Sequence, residues 1–137
     1  IIQTYNPDDI YIKTASSLNT KKFYNIAMAQ RQELNYPPFS RIGRIILKGI
    51  NQKNVNDLSN KISNKLQFNN NFHILGPSPA PIEKIRGLWR SHIIIKSVNK
   101  KSDTISKFIF ENIGFSIFEK KINGVQVVLD VDPISMM

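Results

Sequence analysis

The sequence contains no cysteine, which excludes disulfide bonds, thiolate catalysis and cysteine-ligated zinc. His73 and His92 are the only histidines, so a metal site would need carboxylates to complete its ligand set. No apolar run approaches the roughly 18 residues that a membrane span requires, and no signal peptide is visible. These absences predict a chain without a metal centre and without a membrane segment.

Enzyme motifs are missing as well. The proline-rich segment 76–81 cannot imitate a phosphate-binding loop, because proline has no backbone N–H to donate. There is no Gly-x-Ser-x-Gly elbow, and neither histidine has the context of a catalytic triad. Asp130 and Asp132 share one face of a predicted strand, which suits a divalent cation or, as we favour in a basic domain, a salt bridge or a strand-end cap. We therefore predict no catalytic residue and no metal ligand.

Positive charge is abundant, and it is unevenly distributed. The formal net charge is +9, of which only +1 precedes Phe39 and +8 follows from Phe39 onward. Such an excess indicates a polyanionic partner, nucleic acid before membrane. The alternative is an AT-rich genome, which enriches lysine, asparagine and isoleucine without any function.

The arginines favour the functional interpretation. Five arginines stand beside fourteen lysines, and they fall in only two segments, 31–44 and 86–90. Arginine offers phosphate a planar fork that lysine lacks. We interpret the arginines as positions at which the geometry of phosphate binding matters.

Hydrophobic periodicity predicts the fold. Residues 1–5 are expected to form a strand, and a helix capped by Thr20 ends before the double proline at 37–38. From residue 41 the predicted order is β-α-β-β-α-β, with strands at 41–48, 72–75, 91–98 and 125–131 and helices at 55–66 and 105–113. This order closes as a four-stranded antiparallel sheet with both helices on one face. The predicted class is α+β, a ferredoxin-like split βαβ sandwich preceded by a strand and a connector helix.

A binding surface is predicted where cations meet an aromatic residue. The segment 83–90 is expected to be a hairpin loop, and it contains the only tryptophan, Trp89. Cations beside an aromatic ring suit single-stranded or distorted nucleic acid, through phosphate neutralisation and base stacking. The alternative is that Trp89 covers the core edge. The predicted DNA-binding residues are Arg41, Arg44, Lys48, Lys84, Arg86, Trp89 and Arg90.

Three separated motifs carry a family resemblance. They are Tyr-Pro-Pro-Phe-Ser-Arg at 36–41, Leu-Gly-Pro-Ser-Pro-Ala-Pro at 75–81 and Leu-Asp-Val-Asp-Pro at 129–133. Together they resemble the C-terminal region of primosomal protein N′, the bacterial replication-restart helicase family. The resemblance implies that 1–38 is the end of a helicase lobe with a connector helix. It implies that 39–137 is a C-terminal DNA-binding domain similar in fold to ribosomal protein S10.

The resemblance also implies a biological setting. Family members are ATP-dependent 3′–5′ DNA helicases that use ATP, magnesium and zinc, but the motifs for these cofactors are absent from this sequence. The expected role here is non-catalytic binding of forked or single-stranded DNA during primosome assembly in the bacterial cytoplasm. Expected protein partners are the helicase core of the same chain, other primosome proteins and single-strand-binding protein, whose acidic tail would meet Lys100 and Lys101.

Two alternatives from other classes remain open. The domain could be a scaffold that docks the helicase core or single-strand-binding protein, its charge being compositional. It could also be an S10-like RNA-binding module, although the helicase-like start and the Tyr-Pro-Pro-Phe joint disfavour this.

Overall fold

The computed structural model describes residues 1–66, 71–97 and 104–134. It divides the chain into two units, Ile1–Phe39 and Ser40–Met137. Each unit is described by itself below.

The first unit is a helical hairpin. Helix α1 spans Ile10–Ser16 and helix α2 spans Thr20–Glu33. The Asp9 carboxylate caps α1 by accepting hydrogen bonds from the backbone N–H groups of Tyr11 and Ile12, and the side-chain oxygen of Asn19 caps α2 by accepting one from Lys22. The N-cap of α2 is therefore Asn19 and not Thr20, which is the first helical residue.

The predicted strand at the start of the chain is wrong. Residues 1–5 are irregular, and the side chains of Ile1 and Tyr5 are fully exposed. Alternation alone does not make a strand, because its backbone groups need a neighbouring strand to bond with. None of the described residues in the first unit forms a strand, and its first regular element is α1, which begins at Ile10.

The second unit is an α+β domain, which confirms the predicted fold class. Its elements are β1 (Arg41–Gly49), α3 (Gln52–Leu66), β2 (Phe72–Ile85), β3 (Leu88–Ser97), α4 (Thr104–Ile113), α5 (Ser116–Glu119) and β4 (Val125–Val131). The four strands pair antiparallel in the order β2-β3-β1-β4. Each long helix therefore connects two parallel strands with a third strand inserted between them, as in a split βαβ fold.

The core lies between this sheet and α3 and α4. Alternate residues of the two central strands are completely buried, among them Ile45, Leu47, Ile93 and Ile95. Helix α4 approaches β1 so closely that a Cβ atom built on Gly43 would lie 2.6 Å from Cγ2 of Ile105. We call the sheet face toward α3 and α4 the proximal face and the opposite one the distal face.

Strand β2 is longer than predicted, and the hairpin loop is shorter. The proline-rich segment 76–81 lies inside β2, where two register irregularities accommodate it. Proline is tolerated there because β2 is an edge strand, whose outward N–H groups have no partner to lose. The predicted loop 83–90 is instead mostly strand. Only Arg86 and Gly87 form the turn, with φ values of 50° and 79°, typical of a two-residue hairpin turn.

Candidate nucleic-acid interface

Strand register decides which predicted cations share a surface. Lys48 of β1 lies directly opposite Arg90 of β3, and Arg44 lies two residues from Lys48 along β1. Directly paired residues and alternate residues along one strand project on the same side of a sheet. Arg44, Lys48 and Arg90 are therefore all on the distal face.

The basic side chains flank a groove at the hairpin end of the distal face. The groove has a volume of about 360 Å³. It is lined by Ile46, Lys48, Ile85, Arg86, Leu88, Arg90 and Val128. Arg86 is exposed at the turn, while Lys48 and Arg90 are half-buried beside the apolar floor. We call this feature the hairpin groove, and it combines three cations with an apolar floor.

Lys48 and Arg90 are like charges in a directly opposed pair. Such pairs destabilise a sheet, because the two side chains share one face at close range. Arg90 is oriented by a hydrogen bond from its Nη1 to the carbonyl oxygen of Ile82, at 3.3 Å, and its remaining N–H groups can serve a ligand. An anion bound between the two cations would relieve their repulsion.

Two other arginines that were predicted to bind DNA form ion pairs with aspartate carboxylates. The Arg44 side chain is only 6% exposed, and its Nη2 lies 2.9 Å from Oδ2 of Asp130. Arg41, at the end of β1 away from Lys48, forms an ion pair with Asp132, which directly follows β4. Both aspartates thus form salt bridges, as the favoured interpretation of their spacing predicted. The structure places Arg41 and Arg44 apart from the hairpin groove and in contact with acidic partners.

Trp89 and Lys84 face away from the hairpin groove. They are direct cross-strand partners, and Trp89 packs against the core cluster on the proximal face. The Lys84 ammonium lies 4.6 Å from the centroid of the Trp89 ring, which is a cation–π contact. One face of the indole is therefore covered by lysine. This placement fits the alternative in which Trp89 covers the core edge.

His92 lies beside the hairpin groove and was not among the predicted site residues. It is 9% exposed, and its Nδ1 is buried without a hydrogen-bond partner among the described residues. Burial lowers its pKa below the ordinary value of 6.5, and the charges of Arg44 and Arg90 lower it further. The sequence spacing indicated this position, because His92 lies two residues from Arg90 along β3 and therefore projects on the same face.

The lowered pKa of His92 predicts a loss of stability in acid. Below about pH 6.5 the unfolded chain binds a proton at His92 that the folded chain does not, so the free energy of unfolding falls as the pH drops. Urea denaturation at pH 7.5 and pH 5.0 measures this loss. We expect His92→Gln to lose less stability than the parent chain over this interval. An equal loss in both proteins would show that His92 does not contribute.

The expected contact of Lys100 and Lys101 with single-strand-binding protein stays a prediction, because both lysines fall outside the described residues. In the described ranges no three His, Cys, Asp or Glu side chains form a group that could hold a metal ion. No helix within the described part of the chain is long and apolar enough to cross a bilayer.

Comparison with known proteins decides the family. The sequence profile described as Primosomal protein N C-terminal domain matches residues 32–134, which is most of the chain. The chain belongs to this family. The resemblance seen in the three motifs is thereby confirmed, and the Primosomal protein N C-terminal domain covers the sheet, helices α3 to α5 and the hairpin groove.

Relatives from distant bacteria agree with this assignment. The chain is 33% identical to the Replication restart protein PriA of Thermotoga maritima over 71% of its length. It is 31% identical to that of Borreliella burgdorferi and 29% identical to that of Bacillus subtilis, each over 100% of its length. The matched regions make up 13%, 20% and 17% of these three relatives. The Primosomal protein N C-terminal domain is thus a minor part of each relative's length.

Proposed function

We propose that this chain is a non-catalytic DNA-binding domain of a replication-restart protein and that it holds branched DNA at the hairpin groove. The observation that carries the proposal is the directly opposed pair Lys48 and Arg90, a repulsive arrangement that an anion would stabilise. The names of its relatives, which are replication restart proteins, support DNA as the source of that anion.

The proposed mechanism rests on the sugar–phosphate backbone. Lys48, Arg86 and Arg90 contact phosphates, and the apolar floor contacts the sugars between them. Nothing in this contact set discriminates one base from another, so the domain responds to the structure of the DNA and not to its sequence. We place no ATP, magnesium or zinc in this chain; helicase activity and its cofactors belong, in this proposal, to the remainder of a longer protein.

Arg86 provides a second line of support. A side chain at φ 50° costs backbone free energy, and asparagine is the residue usually found at that turn position before glycine. Strain of this kind is typical of functional positions. The proposal explains why arginine stands at a position where it destabilises the turn.

Arg86→Asn is therefore expected to stabilise the fold and weaken DNA binding. We expect a gain of about 0.5–1 kcal/mol in the free energy of unfolding, because Asn-Gly suits the turn. We also expect the logarithmic salt slope of DNA binding to fall by about one unit, because one phosphate contact is lost. Urea denaturation and fluorescence anisotropy measure the two effects. A more stable variant with an unchanged salt slope would exclude Arg86 from the interface.

The function itself is tested by fluorescence anisotropy with forked, duplex and single-stranded oligonucleotides of equal length at several salt concentrations. We expect the fork to bind most tightly, with a salt slope corresponding to at least three phosphate contacts. Equal and weak binding to all three DNAs would contradict the proposal and would leave a protein-docking scaffold as the function.

A further inference from the structure

The two edges of the sheet differ in their protection against strand pairing. The edge strand β2 contains Pro77, Pro79 and Pro81, which have no N–H to donate, and two register irregularities interrupt its regular pairing. The outer edge of β4 contains neither proline nor lysine between Val125 and Val131. One edge of the sheet is therefore blocked, and the other remains able to accept a further strand.

A short hairpin shows which backbone groups of β4 point outward. Val125 exchanges two hydrogen bonds of 2.9 Å with Ile122, on the side of β4 that faces away from β1. Because these directions alternate along a strand, Val127, Leu129 and Val131 point their N–H and C=O groups to the same outer side. No described residue bonds to those groups. Ile122 thus occupies the first rung of a ladder whose next three rungs are empty in the described part of the chain.

An aromatic groove accompanies these empty rungs. Phe110, Phe115 and Phe118 form a cluster with edge-to-face ring contacts at 5.3 and 5.8 Å, and Phe115 is 58% exposed. The groove has a volume of about 510 Å³ and is lined by these rings together with residues 126–129 and 131 of β4. Consecutive β4 residues project to opposite faces of the sheet. A groove that touches residues of both kinds must therefore open along the strand edge.

The positive charge near the outer edge of β4 indicates which kind of segment would bind there. Lys120 and Lys121, which follow α5, are exposed and form no ion pair with a described residue. The sequence from Phe39 onward has a net charge of +8, so a second copy of the chain would be repelled and an acidic segment attracted. Side chains alternate along an added strand, which places one set against the phenylalanines and the other on the distal side, where the Asp130 carboxylate of β4 is already paired with Arg44.

We propose that β4 is a strand-addition site for an extended segment of a partner protein in which apolar and acidic residues alternate. The segment pairs antiparallel with Val127, Leu129 and Val131 through backbone hydrogen bonds. Its apolar side chains enter the aromatic groove, and its carboxylates are attracted by the net positive charge of the domain, including Lys120 and Lys121. The linings of this groove and the hairpin groove have Val128 in common, but strand addition at the edge of β4 needs no DNA.

The test uses the ¹⁵N-labelled 137-residue chain and an acetylated, amidated heptapeptide of alternating glutamate and apolar residues, Glu-Val-Glu-Phe-Glu-Val-Glu. We expect saturable changes in the amide resonances of Val127, Leu129 and Val131. In an antiparallel pair the residues that bond to these rungs share their proximal orientation, so N-methylation of the valine and phenylalanine nitrogens should weaken binding at least about tenfold. N-methylation of glutamate nitrogens serves as the matched control and should leave binding unchanged.

Two variants distinguish strand addition from nonspecific binding of the peptide. Phe115→Glu places a carboxylate in the aromatic groove and should weaken peptide binding about tenfold or more, while the exposed position preserves the fold. Leu75→Glu, at an exposed position on the opposite edge strand, is the control and should bind normally. Binding that is insensitive to both the methylation pattern and Phe115→Glu, no change at the three amides, or dimerisation of the chain through β4 would each overturn the proposal.

Discussion

Simultaneous replacement of Lys48, Arg86 and Arg90 by alanine is expected to lower the affinity for forked DNA about a hundredfold. In the proposed interface each side chain supplies one phosphate contact at the hairpin groove, and a contact of this kind contributes about 1 kcal/mol net. The logarithmic salt slope should fall by about three units, because three fewer counterions are released on binding. Anisotropy titrations at several salt concentrations measure both quantities. Folding should be preserved, because the substitution removes the repulsion between Lys48 and Arg90.

A matched control has the same change in net charge on another surface. Lys53, Lys61 and Lys65 are exposed on α3, which packs on the proximal face of the sheet. Their replacement by alanine should change the affinity for forked DNA by much less than the hairpin-groove variant does. If the two triple variants lose affinity equally, DNA responds to the net charge of the chain and the hairpin groove has no special role.

Asp130→Ala is expected to destabilise the fold by about 3 kcal/mol. The substitution removes the carboxylate that pairs with the buried Arg44 guanidinium, and breaking a buried ion pair from one side costs several times more than a surface contact contributes. Urea denaturation measures the loss. The double variant Arg44→Met with Asp130→Ala should recover most of the stability, because an apolar side chain of similar length replaces the charge.

The same variants distinguish a structural Arg44 from a DNA-binding one. Arg44→Met combined with Asp130→Ala should bind forked DNA within about twofold of the parent chain, because the guanidinium is already occupied by Asp130. A stable double variant with strongly reduced DNA affinity would show that Arg44 contacts phosphate. That result would extend the interface from the hairpin groove along the whole of β1.

The sequence predicted the second unit well because its strands and helices have strong periodicity. The β-branched isoleucines of 41–48, the alternation in 125–131 and the 3.6-residue period of 55–66 each correspond to the expected element. Strand β2 was predicted too short because three prolines resemble a bend, whereas an edge strand accepts them. Residues 1–5 show the opposite error, since alternation does not supply the neighbouring strand that a strand requires.

The composition of the candidate site depends on cross-strand register, which sequence periodicity does not determine. The two-residue turn sets Lys84 opposite Trp89 and sends both to the proximal face, whereas a longer loop would have left Trp89 free. Register between β1 and β4 likewise places Asp130 beside Arg44. Basic composition and arginine clustering indicated the surface, but pairing partners decide which of its cations remain available to a ligand.

The location of the DNA is tested most directly by amide chemical-shift mapping of the ¹⁵N-labelled chain during titration with forked DNA. We predict that the largest changes fall at Lys48, Arg86, Leu88 and Arg90, which surround the hairpin groove. Small changes are expected along α3, on the proximal side of the sheet. Changes concentrated on α3, with the hairpin groove unaffected, would contradict the assignment of this groove as the DNA-binding surface.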